Sequence, residues 1–254
     1  MASEHPTTDE DPTAGEYPAA SARPTASARP TASAPPTASA PDRIASRPLS
    51  DRVEELLAHE GPLPIVAAGD PVLRRTAEPF DGQLDLGLLA RFVAALRATM
   101  HAAPGVGLAA PQVGVSLRIA VIEDPAPVPE EVRLARGRVP QPFRVLVNPA
   151  YEAVGSFRDA FFEGCLSVPG WQAVVARHAK VRLRALDEHG RAVDEEFSGW
   201  PARIVQHETD HLNGTLYLDH AELRSLSSNQ AMADRWNDPI PARAARELGF
   251  LLPE

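Results

Sequence analysis

The sequence predicts an α+β domain in which mixed or antiparallel strands pack around a central helix. Segments downstream of residue 143 alternate apolar and polar residues with period two, which is typical of β-strands. One long helix pattern precedes these strands, and a second helix pattern, which carries two histidines, follows them. Because helices do not alternate regularly with strands, the order favours an α+β fold over a parallel doubly wound sheet.

Composition divides the chain into three parts. Residues 1–46 consist mostly of Ala, Pro, Ser, Thr and Arg and repeat a six-residue unit three times. This stretch has little apolar surface to bury, so we expect a disordered extension. Residues 47–220 carry the patterns of a folded domain, and we expect residues 221–254 to form a partly helical tail.

The charge and the cysteine content exclude several classes of partner. A net charge of −9 argues against direct nucleic-acid binding. No run of about 18 apolar residues is present, so no membrane span is predicted. The N-terminus lacks the apolar core of a secretory signal. The single cysteine, Cys165, excludes an intramolecular disulfide, and together these features predict a cytoplasmic protein.

The first predicted elements are helices. Ser50 can cap a short helix that carries Val53 on its apolar face. A longer helix is predicted from about Leu84 to His101, because apolar residues recur every fourth position. The residues of this core stripe are Leu88, Phe92, Leu96 and Met100.

A glycine-rich segment, residues 104–112, ends the long helix. It has neither the Lys nor the Gly-x-Gly-x-x-Gly spacing of a phosphate loop, so it does not predict a nucleotide site. Residues 117–123 read as a buried strand, and residues 124–142, which contain five prolines, as a long surface loop.

The remaining strands are short and separated by turn residues. We predict them at 143–148, 151–158, 171–176, 179–186 and 192–197. A second helix is predicted to begin after Pro201 and to end at Asn213-Gly214, where Gly supplies a helix stop signal.

The second helix contains the motif His207-Glu208-x-x-His211. Residues four apart project from the same helix face, so two imidazoles can bind one divalent metal ion there. Glu208 lies about 100° around the helix from His207, within reach of a metal-bound water as a general base. The alternative is an amphipathic helix with two incidental histidines.

A catalytic metal needs a third protein ligand and an open position. Cys165 is the best candidate, because it lies between Gly164 and a Leu-Ser-Val-Pro segment, at a strand end where the backbone can bend, and a thiolate completes a three-ligand set. The rival, Asp210, lies on the same helix as the histidines but points to a different face.

Three segments resemble, in sequence and in order, the motifs of the peptide deformylase family. They are Gly105-Val-Gly107-Leu-Ala-Ala-Pro-Gln112, Glu163-Gly-Cys165-Leu-Ser and Gln206-His207-Glu208-x-x-His211. The resemblance covers roughly residues 60–220. It implies a peptide deformylase-like fold and the hydrolysis of the formyl group from N-terminal formyl-methionine of nascent chains.

The resemblance also implies the site chemistry. Cys165, His207 and His211 would hold Fe²⁺, which Zn²⁺, Ni²⁺ or Co²⁺ can replace. A metal-bound hydroxide would attack the formyl carbon, with Glu208 as the general base and then the general acid. The Gln112 amide and the Leu166 backbone N–H would stabilise the negative charge on the formyl oxygen.

Other residues are expected to contact the substrate or to support the site. Val106 and Gly107 would line the bound peptide. Glu163 is expected to pair with Arg177 and brace the metal loop. Three further residues are either walls of the methionine pocket or core residues: Phe161, Trp200 and Ile204.

The expected partners are formyl-methionyl nascent peptides, with a possible transient ribosome association, and the chain is expected to be a monomer. The tail beyond Asp219 does not resemble the basic helix with which some relatives dock on the ribosome. Two alternatives remain: a zinc peptidase that uses the same helix, and an inactive deformylase-like binding protein.

Overall fold

A computed structural model of the chain describes residues 48–103 and 105–253. The predicted disordered extension, residues 1–46, lies outside these described residues. Within them, no helix is long and apolar enough to cross a membrane.

Two helices open the described chain. Helix α1 spans Leu49–Leu57, and a one-turn 3₁₀ helix follows at Pro71–Arg74. Helix α2 spans Leu86–Ala102, and Asp85 caps it by accepting a 2.8 Å hydrogen bond from Leu88 N. All four residues of the predicted stripe on α2 are buried, so that prediction is confirmed. They pack on the first sheet to form one part of the core.

The first sheet has five antiparallel strands in the order β1-β2-β3-β6-β7. Their bounds are Gly107–Ala109 for β1, Ile119–Asp124 for β2, Gln141–Ala153 for β3, Lys180–Leu186 for β6 and Ala192–Ser198 for β7.

Strand β3 corrects the prediction of two strands at 143–148 and 151–158. Asn148 adopts a left-handed conformation with φ 52°, and the register with β6 shifts between Val147 and Ala150, so the strand bends but continues. The Asn148 side chain exchanges two 2.8 Å hydrogen bonds with the Phe80 backbone, which hold this bend in place. The next strand begins only at Arg158, after a turn through Gly155.

The second sheet has the antiparallel order β4-β5-β8, with β4 at Arg158–Cys165, β5 at Val168–His178 and β8 at Ala221–Ser228. Leu166 and Ser167 form the tight turn between β4 and β5, and this turn places Cys165 at a strand end. The sequence predicted that the folded domain ends at residue 220 and that a tail follows. In the structure the first residues of that tail form strand β8 of this sheet. Helices α5, Asn229–Arg235, and α6, Ala242–Leu248, follow β8.

The sequence predicted a long surface loop at residues 124–142. The structure corrects this prediction, because the segment contains helix α3 at Glu130–Ala135. An ion pair between Glu130 and Arg133 at 2.5 Å supports this short helix. Pro129 precedes the helix, and Gly137, with φ 53°, follows its C-cap. Its six residues are too few for a clear apolar period.

Helix α4 spans Gly199–Leu212 and is buried along most of its length. It packs on the first sheet through Ala202, Ile204, Val205 and Leu212. The helix begins two residues before Pro201, because proline is tolerated in a first helical turn, where its missing N–H would have no partner. The predicted end at Asn213-Gly214 agrees with the structure, in which Asn213 caps the helix and Gly214 has φ 74°.

Candidate active site

The three predicted metal ligands come together between β4 and α4. Cys165 ends β4, and His207 and His211 lie one turn apart on α4. One ligand atom from each residue lies within 4.8 Å of the others, and Cys165 Sγ is 3.3 Å from His211 Nε2. One thiol and two imidazoles form a donor set that first-row divalent ions accept, so these residues fit a metal ion.

Glu163 orients the first histidine. Its Oε2 lies 3.0 Å from His207 Nδ1, which leaves Nε2 of that ring for the ligand cluster. The ring of Tyr217 stacks on His207 with a centroid separation of 6.2 Å and an interplanar angle of 21°. The imidazole is therefore held by a hydrogen bond at its edge and by an aromatic ring on its face.

A buried network of charges surrounds Glu163. Arg177 donates two hydrogen bonds to its carboxylate, at 2.6 and 3.0 Å, and Arg203 donates a third at 2.5 Å. The predicted pairing of Glu163 with Arg177 is confirmed. Burial acts to raise the pKa of Glu163, but Arg177 and His207 hold that pKa well below its ordinary value. The group that faces His207 is thus a carboxylate anion.

Asp210, the rival ligand, is engaged in the same network. Arg177 Nη1 donates to it at 2.6 Å, and the Tyr151 hydroxyl donates at 3.0 Å. These contacts lie away from Cys165, as the helix geometry predicted. By contrast, burial and the neighbouring His207 lower the pKa of His211 well below its ordinary value, which favours the neutral imidazole that binds metals.

Glu208 is enclosed between α4 and β1. A Cβ atom on Gly107 would overlap the Glu208 side chain, so glycine is required for this close approach. Glu208 is only 4% exposed, and its Oε2 has no hydrogen-bond partner among the described residues. Burial raises the pKa of Glu208 to about 7. Such a carboxyl group can both accept and release a proton near neutral pH.

Gln112 presents its amide N–H groups to the same site. Its Oε1 accepts a 2.8 Å hydrogen bond from Ala109 N, which fixes the orientation of the amide. The Nε2 atom consequently faces the metal-ligand turn, 3.6 Å from Cys165 Sγ and 3.4 Å from Ser167 Oγ. Leu166 lies in that turn, directly after the thiol. Both predicted donors are therefore adjacent to the ligand cluster.

A cavity of about 600 Å³ opens in front of the cluster. Val106, Gly107, Trp200 and Ile204 line it together with the ligand turn. Phe161 packs edge-on against Trp200, with ring centroids 6.2 Å apart, and so supports the wall from behind. The sequence analysis left open whether Phe161, Trp200 and Ile204 are pocket walls or core residues. In the structure Trp200 and Ile204 line the cavity, and Phe161 supports Trp200 from behind.

Two arginines near the cavity were missed by the sequence interpretation. Arg203 lies one turn before His207 on α4. The sequence signal that could have revealed it is a charged residue on the buried face of the predicted helix, because an arginine is rarely buried without a partner. Arg136 follows α3, in a segment interpreted as surface loop, and no local pattern indicates its position. Both residues line the cavity.

Comparison with known proteins identifies the family. The model of the polypeptide deformylase family matches residues 62–227. Peptide deformylase 3 of Streptomyces avermitilis is 84% identical over 212 residues, which are 84% of this chain and 95% of that protein. Peptide deformylase 1 of Streptomyces coelicolor is 80% identical over 206 residues, which are 81% of this chain and 94% of that protein.

Solved structures agree with this result. A Met-Ala-Ser-bound crystal structure of class I type b peptide deformylase from Acinetobacter baumannii has a TM-score of 0.55 and 36% identity. The match covers 64% of this chain and 99% of that one. The antiparallel sheets and the central helix confirm the predicted α+β, peptide deformylase-like fold. This chain belongs to the polypeptide deformylase family of metalloenzymes, which remove the N-formyl group from nascent peptides.

Proposed function

We propose that this chain hydrolyses the formyl group of N-terminal formyl-methionine at the Cys165–His207–His211 cluster, with Glu208 as acid and base. The observation that carries the proposal is the enclosed Glu208 carboxyl group, which has a free oxygen and lies beside the ligand cluster. The reaction consumes one water and yields formate and a free α-amino group.

Cys165, His207 and His211 would hold the metal, and we propose Fe²⁺, with Zn²⁺, Ni²⁺ or Co²⁺ as substitutes, because this mixed sulfur and nitrogen set suits several first-row ions. When bound, the ion supplies a Lewis acid that lowers the pKa of water and polarises the formyl carbonyl. The Glu163–His207 contact supports this assignment, because it fixes the imidazole that would bind through Nε2.

Glu208 would move the protons of the reaction. Its carboxylate takes a proton from the attacking water, and the resulting acid gives that proton to the departing amine nitrogen. A pKa of about 7 suits both steps, because the group is close to evenly divided between its two forms at neutral pH. The backbone of Gly107 packs directly against the Glu208 side chain, so this carboxyl group is shielded from bulk water.

Gln112 and Leu166 would stabilise the charge that develops on the formyl oxygen. The amide of Gln112 is oriented in advance by Ala109 N, so its N–H groups need no rearrangement during the reaction. The Leu166 backbone N–H belongs to the same tight turn as Cys165. Both donors would act on an oxygen bound next to the ligand cluster.

The methionine side chain would enter the apolar part of the cavity. Gly107 would approach the peptide backbone, and Val106 would contact the side chain. Trp200 and Ile204 are suitable walls because both line the cavity and both lie on the face of α4 that leads to the ligands.

The chain would act as a cytoplasmic monomer on nascent formyl-methionyl peptides. Ribosome encounters would be transient, because helix α6 carries only two arginines and one glutamate and has no strongly basic face. Direct nucleic-acid binding is not proposed, given the net charge of −9.

The test is formate release from formyl-Met-Ala-Ser under anaerobic conditions with Fe²⁺. Glu208→Gln should retain the metal but lose turnover by about 10²-fold or more, whereas the exposed control Glu196→Gln should behave as the parent. Full activity of Glu208→Gln would contradict the acid–base role. Absence of formate with the parent would contradict the function, and cleavage of an internal amide bond would indicate a peptidase.

A further inference from the structure

Arg136 is a half-buried guanidinium that lines the active-site cavity without an anionic partner. Its Nε donates a 3.1 Å hydrogen bond to the carbonyl oxygen of Pro239. Among the described residues, its two terminal nitrogens make no hydrogen bond and no carboxylate pairs with it. A guanidinium carries five N–H donors, so most of the donors of Arg136 remain available.

Two neighbouring arginines each bind a buried carboxylate, which sets Arg136 apart. Arg138 forms two 2.8 Å hydrogen bonds with the buried Asp124 carboxylate. Arg203 is bound by Glu163 and by two backbone carbonyl groups. Burial, together with these two nearby cations, lowers the pKa of Arg136 to about 10, so it remains charged at neutral pH.

The position of Arg136 relative to the ligands follows from helix α4. Its guanidinium carbon lies 5.1 Å from the centroid of the Trp200 ring, and its carbonyl oxygen accepts a 3.0 Å hydrogen bond from Trp200 N. Trp200 precedes His207 by two helical turns, which is roughly 10 Å along the axis. Arg136 therefore lies beside Trp200, at the end of the cavity wall that is farther from the ligands.

We infer that Arg136 is a specificity-determining residue that admits an oxygen-bearing N-terminal side chain, namely that of formyl-methionine sulfoxide, to the methionine pocket. This inference rests on the proposed function, because it assumes that the methionine side chain follows the Trp200 wall.

The physical reason is the need to satisfy the sulfoxide oxygen. Oxidation converts the apolar thioether into a polar group with a strong hydrogen-bond acceptor. A wholly apolar pocket would leave that oxygen unpaired and would reject the oxidised side chain by roughly tenfold to a hundredfold. The free N–H groups of Arg136 offer a charge-assisted partner. Trp200 and Ile204, which line the same cavity, still offer apolar contact to unmodified methionine.

The test compares kcat/KM for formyl-Met-Ala-Ser with kcat/KM for its methionine sulfoxide counterpart. In the parent, we expect the oxidised peptide to be less than about tenfold poorer. Arg136→Met keeps a long apolar stem but removes every donor, and it should raise about tenfold the ratio of kcat/KM for the methionine peptide to kcat/KM for the sulfoxide peptide. Arg136→Lys keeps a cationic donor and should stay near the parent. Arg91→Met, at an exposed site on α2, is the matched control.

The outcomes separate this inference from the proposed function. If the parent releases no formate from either peptide, the function is wrong. If the parent cleaves the methionine peptide but discriminates more than about tenfold against the sulfoxide, as a wholly apolar pocket would, the inference fails without recourse to any variant. It also fails if Arg136→Met leaves the ratio of kcat/KM for the methionine and sulfoxide peptides unchanged. A variant that alters only the preference for formyl-Met-Asp-Ser over formyl-Met-Ala-Ser would contradict the inference too, because Arg136 would then contact the second residue of the substrate.

Discussion

Glu163 Oε2 lies 3.0 Å from His207 Nδ1, while Arg177 and Arg203 bind the two oxygens of the same carboxylate. The orientation of one metal ligand thus depends on a buried ion cluster contributed by strands β4 and β5 and helix α4. Because the carboxylate is held by two guanidiniums, the imidazole has one defined hydrogen-bond acceptor and one defined direction.

Replacing Glu163 by Gln should therefore weaken metal binding. The variant keeps the shape of the side chain but loses the anion that orients His207 and neutralises the two arginines. We expect the metal affinity to fall about 10- to 100-fold, measured by competition with a chelator and by metal content after dialysis. Glu152→Gln, on the exposed surface of β3, is the control. An unchanged affinity would mean that His207 does not need this acceptor.

Gly107→Ala should impair catalysis more than stability. The added Cβ would overlap the Glu208 side chain, so either the carboxyl group or strand β1 must move. A displacement of about 1 Å in a catalytic group can cost on the order of 10²-fold in rate. The measurement is kcat/KM for formate release beside a thermal melt. Gly87→Ala in helix α2 is the matched control, because its Cβ meets only the end of the Asp85 side chain. Parental activity of Gly107→Ala would contradict the placement of Glu208.

Gln112→Leu should lower kcat with a smaller effect on KM. The leucine cannot donate to the formyl oxygen, and loss of one such preorganised donor costs about 10²- to 10³-fold in kcat. Since Gln112 Oε1 also accepts from Ala109 N, the variant Gln112→Glu keeps that contact while it replaces the donors by a carboxylate oxygen and adds a negative charge beside Cys165. Both variants should be slow. If Gln112→Glu alone retained parental kcat, the role of Gln112 would be structural.

The parts of this fold and site that depend on local spacing were predictable, and the parts that depend on tertiary contacts were not. The buried stripe of α2 and the pairing of His207 with His211 follow from helical periodicity. The continuity of β3 does not, because Asn-Pro-Ala is typical of a turn, and contacts with Phe80 and Arg118 hold this segment in the strand. Arg136 was missed for the same reason, since its place in the cavity depends on packing against Trp200.

Metal removal should both abolish activity and destabilise the fold. The ligands come from two separate elements, the end of β4 and helix α4, so an ion bound by all three joins these elements in the native state only. A ligand present at 100 times its dissociation constant stabilises the native state by about 2.7 kcal/mol. Treatment with a chelator should therefore lower the Tm, and anaerobic Fe²⁺ should restore both the Tm and formate release. Cys165→Ser, which replaces the thiolate with a poorer ligand, should show a low Tm that added metal raises much less. An identical Tm with and without chelator, at confirmed loss of metal, would show that the cluster contributes nothing to folding stability.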